Sequence, residues 1–259
     1  MNVPAGTDPQ CASYAFTMKP DTYYANDRPE MLAYFPRAPG RVLDVGCGNG
    51  RFGAMLKDKL DAAEVWGVEP VPAACDAAAQ VLDRAIEGLF NESLGLPDGS
   101  FDTIVFNDSL EHFPDPAPAL ALARRLLKPG GRIIASIPNI RHWPDMKRYI
   151  FFGEWEYQDH GVLDRTHLRF FTRSSILKTF KDAGCEVQRI QGIGPCWRGL
   201  RLALAKTLLP SGAQDIYYLQ FAVVATKSDS AAVQAHHVGQ PFHGAGLPVE
   251  SPQLPKGPA

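Results

Sequence analysis

The sequence lacks the runs of like charge and the long apolar stretches that mark several classes of protein. Its 26 lysines and arginines are interspersed with 28 aspartates and glutamates, which leaves a net charge of −2 and no basic stripe. Electrostatic binding of nucleic acid needs a basic surface, so we expect no nucleic-acid partner. No apolar stretch is long enough to cross a bilayer, so we also expect no integral membrane segment.

A secretory leader and a cysteine framework are missing as well. The N-terminus has no charged region followed by an apolar run, which is the pattern of a signal peptide. The 5 cysteines are odd in number, widely spaced and without a C-x-x-C pair, which argues against a disulfide framework or a zinc site. Because reduced thiols are typical of the cytoplasm, we predict a cytoplasmic protein.

Short apolar runs alternate with helical patterns through the middle of the chain. This alternation predicts an α/β fold, with a parallel sheet covered by helices on both faces. Strands are predicted at 41–45, 64–68, 85–90, 101–106, 132–137, 186–190 and 216–225, and helices at 49–60, 71–83, 116–127 and 174–182.

Both ends and two internal segments depart from this pattern. We expect residues 1–24 to be an irregular N-terminal cap, residues 25–227 to form the domain, and residues 228–259 to be a disordered tail. Residues 141–172 are rich in aromatic side chains and have no clear period. We interpret them as a lid, because long irregular insertions in a compact domain are usually functional. The apolar segment 196–209 is interpreted as a lid or dimer helix, so a homodimer is possible.

A glycine-rich turn follows the first strand and is the most informative segment. Gly46, Gly48 and Gly50 have the spacing G-x-G-x-G, which differs from the dinucleotide fingerprint G-x-G-x-x-G and argues against a nicotinamide-dependent dehydrogenase. Asp44 lies just before them, where a carboxylate repels a pyrophosphate and suits a cationic ligand. Glu69 ends the second strand, where an acid can accept hydrogen bonds from both ribose hydroxyls of an adenosine.

These residues resemble the motifs of the class I S-adenosylmethionine (SAM)-dependent methyltransferases. Residues 44–50 look like the first motif of that superfamily, and residues 107–113 look like the loop where the methionine end of SAM lies. The resemblance implies a Rossmann-like, seven-stranded sheet, mostly parallel with an antiparallel last strand. It also implies SAM as the cofactor, with S-adenosylhomocysteine as its product. The residues expected to bind it are Asp44, Gly46, Cys47, Gly48, Glu69 and Asn107.

Two further cofactor contacts are expected from the resemblance. Many relatives carry Asp where Phe90 stands, placed to accept from the adenine amino group, so here Asn91 or a backbone group has that task. An N-terminal segment covers the cofactor in related enzymes. We therefore expect Tyr23 or Tyr24 to lie towards the carboxylate of SAM, with packing at the surface as the alternative.

The acceptor is implied less directly. Residues 137–140 and 164–172 resemble a bacterial branch linked with surface-polysaccharide and other glycan or secondary-metabolite biosynthesis. This resemblance implies a small-molecule acceptor, preferably a hydroxyl of a sugar or nucleotide-linked sugar. Two alternatives stay open, namely O- or N-methylation of a phenolic or polyketide metabolite and a non-catalytic SAM-binding partner protein.

A hydroxyl acceptor needs a base for its proton, and two lid histidines are candidates. His160 and His167 are the predicted catalytic residues, and Asp164 is predicted to contact the substrate or to orient an imidazole. The alternative is that Asp164 and His167 belong to a turn that holds the backbone of the lid. His142 and Trp143 follow the fifth strand and are predicted to contact the acceptor, with simple packing as the alternative.

A metal site is the last hypothesis. Asp108, Glu111 and His112 resemble the E-x-x-E-H arrangement of magnesium-using O-methyltransferases and of some RNA-terminal methyltransferases. Asp replaces Glu at the first position, and many metal-free relatives also carry Glu-His here. We therefore expect no bound metal, and we interpret Glu111 and His112 as shaping the loop around the donor.

Overall fold

The computed structural model describes residues 27–197, 199, 204 and 207–228. The elements within these residues alternate between strands and helices over most of the chain. The strands are β1 (Arg41–Val45), β2 (Glu64–Glu69), β3 (Arg84–Glu87), β4 (Phe101–Asn107), β5 (Leu127–Pro138), β6 (Cys185–Pro195) and β7 (Tyr218–Lys227). The α-helices are α1 (Arg51–Leu60), α2 (Pro72–Ala78), α3 (Pro116–Leu126), α4 (Trp143–Phe152) and α5 (Arg173–Asp182).

The strands form one sheet in the order β3-β2-β1-β4-β5-β7-β6. The pairs on the β3 side and up to β5 are all parallel, whereas β7 lies antiparallel to both β5 and β6. This confirms the predicted mostly parallel sheet with its antiparallel last strand. The chain moves outward in one direction from β1 and in the other from β4, so the strand order reverses between these two strands. Open α/β sheets bind ligands at the carboxyl ends of the strands on either side of such a reversal.

Successive residues of the central strands enter two separate hydrophobic clusters. Leu43 packs with residues of α3 and α5, whereas its neighbour Val42 packs with residues of α1 and α2. Ile133 and Ile134 of β5 divide in the same way. Because side chains alternate across a strand, a continuous apolar run supplies both faces. The sheet is therefore covered by helices on both faces, as predicted.

Several boundaries differ from those predicted. Helix α2 ends at Ala78 and not at residue 83, and β5 begins at Leu127 and not at residue 132, so residues 128–131 belong to the strand. Leu127 pairs with Phe101, and a register shift follows before the regular pairing of β4 with β5 begins. Residues at such an irregular start of a strand have a composition that is typical of a turn, which explains the difference from the predicted boundary.

The lid also differs, because residues 143–152 form helix α4 in a segment predicted to lack periodic structure. Pro144 lies in the first turn of the helix, where a missing N–H costs nothing, and Gly153 ends it with φ 70°. The helix has no buried residue, and its apolar side chains face outward. Its apolar residues at 149–152 are consecutive and lack helical spacing, so the sequence gives no periodic signal for this helix.

Three of the predictions fall partly or wholly on other residues. The predicted cap at 1–24, the tail from 229 to 259 and most of 196–209 lie outside the described residues, so the proposed division of the chain stays a prediction. None of the helices that the structure describes is long and apolar enough to span a membrane.

Candidate cofactor and acceptor site

The glycine-rich turn leaves β1 at the carboxyl edge of the sheet. Gly46, Gly48 and Gly50 have φ values of 76°, 54° and 80°, in the left-handed region that favours glycine. A Cβ on Gly46 would lie 3.0 Å from the Cβ of Ser109, which follows β4. The spacing therefore serves a backbone conformation and a close approach that other residues do not tolerate without strain.

Glu69, at the end of the neighbouring strand, stabilises this turn through a hydrogen bond. Its buried carboxylate accepts the N–H of Gly48 at 2.9 Å through Oε2 and the N–H of Val71 at 3.0 Å through Oε1. Burial raises the pKa of Glu69, and these two donors oppose that rise. Each carboxylate oxygen has more than one lone pair, so the acid can hold the turn and also accept from a ligand hydroxyl.

Asp44 is a second buried acid on the same edge, with 2% of its surface exposed. Burial, followed by the negative charge of Glu69, raises the pKa of Asp44 to about 7. A carboxyl group in this state is stabilised in its charged form when a cation binds beside it. The pair of acids thus makes this edge of the sheet receptive to a positively charged ligand.

Asn107 ends β4 on the other side of the strand reversal. Its Oδ1 and Nδ2 are both buried, and neither forms a hydrogen bond within the described part of the chain. Buried polar groups are nearly always hydrogen-bonded, so an unpartnered amide indicates a ligand group that the protein itself does not supply.

One cleft joins these residues to the lid. Its volume of about 1360 Å³ exceeds the roughly 300–1,000 Å³ of a typical small-molecule pocket, so it has room for a cofactor and an acceptor together. Most of the predicted site residues line it, namely Asp44, Gly46, Cys47, Gly48, Glu69, Asn91, Asn107, His160, Asp164 and His167. Their individual roles stay predictions.

Three predicted residues are not placed in this lining. Tyr24 lies outside the described residues. His142 is buried at the start of α4, where its Nδ1 lies 2.7 Å from Oδ2 of Asp145. The backbone N–H of Trp143 donates to the carbonyl of Ile216 at 2.6 Å. His142 and Trp143 therefore fit the packing alternative better than acceptor contact.

Asn91 lines the cleft but uses its acceptor atom locally. Its Oδ1 accepts from the N–H of Ser93 at 2.8 Å and from the Ser93 hydroxyl at 2.6 Å, which caps the short 3₁₀ helix at Glu92–Leu94. An oxygen already bound twice is a poor acceptor for an adenine amino group. This leaves the backbone groups of the same segment as the better candidates for that contact.

Asp164 shapes the lid backbone, as the structural alternative proposed. Its Oδ1 accepts from the N–H and the hydroxyl of Thr166, both at 2.8 Å, and its carbonyl accepts the N–H of His167 at 3.0 Å. Such a turn places the ring of His167 against the cleft. Asp164 thus stabilises the conformation of the lid, and its contact with a substrate stays a prediction.

The lid is also fastened to the loop after β4. The carbonyl of Glu111 accepts the N–H groups of Leu168 and Arg169, at 2.9 and 3.0 Å. On the side-chain side, His167 Nε2 lies 3.8 Å from Glu111 Oε1, and the rings of His112 and His167 meet edge to face with centroids 4.9 Å apart. Ligand atoms of Glu111, His112 and His167 all lie within 4.8 Å of one another.

Asp108 is separated from this group by its own partners. It forms an ion pair with Arg28, and its Oδ1 accepts from Nε2 of Gln220 at 2.7 Å. Arg28 also donates to Gln220 Oε1 at 2.6 Å and is 6% exposed. The set Asp108, Glu111 and His112 considered from the sequence is therefore not brought together, and His167 stands in place of Asp108. Arg28 and Gln220 lie far apart in sequence, and no sequence motif predicts that they are in contact.

Comparison with known proteins agrees with the geometry. A family profile described as a methyltransferase domain matches residues 18–190. The chain is 30% identical over 194 residues to a ubiquinone biosynthesis O-methyltransferase of Burkholderia pseudomallei, covering 70% of this chain and 77% of that protein. The chain belongs to the SAM-dependent methyltransferases.

Other relatives match over shorter stretches. A demethylmenaquinone methyltransferase of Thermus thermophilus is 35% identical over 103 residues, which cover 38% of this chain and 47% of that protein. Several such relatives are thus matched over less than half their length. A SAM-dependent methyltransferase structure from Archaeoglobus fulgidus has a TM-score of 0.59 at 18% identity, covers 85% of this chain and all of that one, and supports the fold.

The residues of this methyltransferase fit SAM at the cleft. The glycine turn adopts a left-handed backbone conformation beside the cleft, Asn107 offers an unpartnered amide, and Asp44 with Glu69 supplies negative charge. SAM carries a positively charged sulfonium and an adenosine ribose, which match a cation-receptive edge and an acid at the end of β2. The protein is an enzyme with SAM as its cofactor.

Proposed function

We propose that this enzyme methylates a hydroxyl oxygen of a small, largely apolar acceptor, most simply a phenol. The observation that carries the proposal is the position of Glu111 and His167, whose Oε1 and Nε2 lie 3.8 Å apart in the wall of the cleft that also contains the glycine turn. When bound, SAM supplies an electrophilic methyl group on a positively charged sulfur. For methyl transfer, a neighbouring hydroxyl oxygen must be aligned with that methyl group, and a base must accept the hydroxyl proton.

The walls of the cleft favour an apolar acceptor. Val162 and Leu168 of the lid line it near His167, and Phe113 lines it from the loop after β4. Recognition of a sugar ring needs several convergent hydrogen-bonding side chains, whereas Asp164 directs Oδ1 to Thr166. The names of the two quinone-pathway relatives also favour the phenolic alternative over the sugar hydroxyl that the sequence analysis preferred.

The two lid histidines take different parts in this proposal. His167 is buried, with Nδ1 3.0 Å from the carbonyl of Val162 and Nε2 facing Glu111. His160 is exposed where it lines the cleft. We assign acceptance of the proton to His160, which can pass it to solvent, and positioning of the acceptor oxygen to the pair of Glu111 and His167.

A transfer assay with methyl-labelled SAM tests the acceptor class. We expect labelled product with catechols and hydroxybenzoates that carry an apolar substituent, and none with nucleotide sugars. Product formed only from nucleotide sugars contradicts the phenolic proposal. The absence of product from either class, with a protein that binds SAM, supports a non-catalytic SAM-binding role instead.

Substitution of His160 tests its proposed role as proton acceptor independently of His167. His160→Gln should lower kcat by about 100-fold and change the pH profile, because loss of a general base typically costs 10²–10⁴. Lys178→Gln, at an exposed position of α5 outside the cleft lining, is the matched control and should keep wild-type turnover. An unchanged pH profile in His160→Gln would remove His160 from the proposal.

Three broader predictions belong to the same proposal. We propose that residues 25–227 are the catalytic domain, that the enzyme acts in the cytoplasm, and that it forms a homodimer. The free state of Cys47, Cys75, Cys185 and Cys196 supports a reducing compartment. Light scattering of the purified chain tests the homodimer.

A further inference from the structure

Glu111 presents a buried carboxylate that no group of the described protein hydrogen-bonds. Its side chain is 0% exposed, and neither Oε1 nor Oε2 has a hydrogen-bond partner. Removing a carboxylate from water without compensation is costly, so such a group is normally paired or bound to a metal. Nε2 of His167 lies 3.8 Å from Oε1, which is beyond hydrogen-bond distance, and the nearby cation Arg28 forms its ion pairs with Asp108 and Glu30.

Two histidines complete a cluster around this carboxylate. Ligand atoms of Glu111, His112 and His167 lie within 4.8 Å of one another, and they come from two separate segments. His112 follows β4 directly after Glu111, whereas His167 belongs to the lid. The lid turn made by Asp164 and the backbone bonds from Leu168 and Arg169 to Glu111 hold the two segments in register.

Both imidazole rings direct Nδ1 towards a backbone carbonyl of the lid. Nδ1 of His112 lies 3.0 Å from the carbonyl of Thr166, and Nδ1 of His167 lies 3.0 Å from the carbonyl of Val162. A carbonyl oxygen only accepts, so each Nδ1 carries the hydrogen, and in the neutral ring the lone pair belongs to Nε2. Hydrogen bonds of this kind from Nδ1 to the backbone are what fix a histidine whose other nitrogen binds a metal.

We propose that Glu111, His112 and His167 bind one divalent transition-metal ion in the wall of the cleft. Two imidazoles and one carboxylate suit Zn²⁺, Co²⁺ or Mn²⁺ better than Mg²⁺, which prefers oxygen ligands. Bonds of about 2.0–2.2 Å to the ion bring neighbouring ligand atoms to about 3–3.5 Å, so binding draws the cluster together by about 1 Å. The three protein ligands leave further positions on the ion for small molecules.

The role of the ion rests on the proposed function, although its binding does not. An acceptor hydroxyl that binds to the ion becomes more acidic, and a second hydroxyl beside it adds a second bond to the same ion. The site therefore favours a vicinal diol on an aromatic ring as the acceptor. This ligand set differs from the one considered from the sequence, because Asp108 is held by Arg28 and Gln220.

Titration with Co²⁺, followed by visible absorption, tests the site without any acceptor. The tail histidines His236, His237 and His243 are first replaced by glutamine in the full chain, so that they do not bind the probe. We expect one equivalent of Co²⁺ to bind with absorption bands of nitrogen and oxygen coordination. Glu111→Gln and His167→Gln should each weaken binding by about 100-fold or more, since even outer partners of metal ligands are worth 10–100-fold.

His160→Gln is the matched control, because His160 lines the same cleft outside the cluster. It should bind Co²⁺ with wild-type affinity. Calorimetric titration with SAM shows that each variant is folded, and His112→Gln replaces any variant that fails this check. The proposed site is wrong if variants of Glu111 or His167 that still bind SAM also bind Co²⁺ within about twofold of wild-type affinity. It is also wrong if the wild type binds SAM but takes up no Co²⁺ at millimolar concentration. A metal-binding protein that methylates no phenol would instead refute only the proposed function.

Discussion

The carboxylate of Glu69 accepts a hydrogen bond from the backbone N–H of Gly48, over 2.9 Å. Gly48 belongs to the turn after β1, and Glu69 ends β2, the parallel neighbour of β1. The two sequence motifs that indicate SAM are thus one structural unit, in which the acid holds the turn that surrounds the ligand. A change at either motif is expected to affect both the shape of the turn and the affinity for SAM.

The close contact beneath this unit gives a prediction on stability. A Cβ on Gly67 would lie 2.4 Å from Sγ of Cys47 and 2.7 Å from Cδ1 of Leu82. Gly67→Ala should therefore lower the free energy of unfolding by about 1–3 kcal/mol, the usual cost of overpacking. Urea denaturation measures the change. Gly212→Ala is the control and should be close to neutral, since a Cβ there meets nothing within 4 Å.

The raised pKa of Asp44 predicts how stability depends on pH. In the folded state its pKa is about 7, against 3.8 when unperturbed, so the native state holds the proton over a range in which the unfolded state has released it. The free energy of unfolding of the ligand-free enzyme should therefore fall as pH rises from about 4 to about 7. Thermal or urea unfolding at several pH values, compared with Asp44→Asn, measures this contribution. An equal slope in Asp44→Asn would assign the pH dependence to Glu69, whose pKa burial also raises.

The same group predicts a pH dependence of cofactor affinity. A cation beside Asp44 favours the ionised carboxylate, so SAM should bind more tightly as pH rises to about 7 and then level off. Calorimetric titrations with SAM at pH values on both sides of 7 measure the effect. In Asp44→Asn the affinity should be lower and nearly independent of pH over this range, and a retained pH dependence would contradict the role of Asp44.

Asn107 and Asn139, whose side-chain amides are inaccessible to solvent or hydrogen-bonded, should respond in opposite ways to truncation. The Asn107 side chain has no hydrogen bond within the described protein, so Asn107→Ala should leave the free energy of unfolding nearly unchanged. The same variant should lower the affinity for SAM by about tenfold, which corresponds to one typical hydrogen bond. Asn139 donates to the carbonyls of Asp215 and Tyr218, at 2.9 and 3.0 Å. Asn139→Ala should therefore cost about 2 kcal/mol of stability by leaving these acceptors unsatisfied. Urea denaturation and SAM titration of both variants separate the effects, and equal behaviour would refute the assignment.

The buried side chain of Arg28 predicts a larger loss. It pairs with Asp108 and Glu30 and donates to Gln220. Arg28→Met keeps the apolar stem and removes the charge, and it should lower the free energy of unfolding by about 3 kcal/mol, as when one partner of a buried pair is removed. Arg37→Met is the control, because Arg37 is 86% exposed and its pair with Asp61 is worth little. Similar values for the two variants would contradict the buried network.

The central sheet and its ligand edge could be predicted from the sequence because local patterns encode them. Apolar runs such as Arg41–Val45 are buried on both faces, and the glycines at 46, 48 and 50 adopt the conformation that other residues avoid. Both signals lie within a few consecutive residues. The meeting of Asp44, the glycine turn and Glu69 along one cleft follows from them, whereas their contacts with SAM stay predictions.

The acceptor half depends on contacts between distant residues, which local patterns do not encode. His167 joins Glu111 and His112 only because the turn at Asp164 folds the lid onto the loop after β4. Helix α4 does not follow from the sequence, because its apolar residues at 149–152 are consecutive and lack helical spacing. His142 and Trp143 were predicted to contact the acceptor from their place after β5. The start of α4 instead directs them into local packing.

Calorimetric titration with SAM tests the account most directly, with Glu69→Ala as the decisive variant and Glu64→Ala, at the other end of β2, as the control. The account predicts that the wild type binds one SAM in the micromolar range and that Glu64→Ala binds equally well. Glu69→Ala should bind at least about 30-fold more weakly, since it loses the hydrogen bonds to the ribose that we assign to Glu69 and the observed bond from the N–H of Gly48. Folded wild-type protein that binds neither SAM nor S-adenosylhomocysteine would contradict the account, and so would Glu69→Ala that binds SAM as tightly as Glu64→Ala.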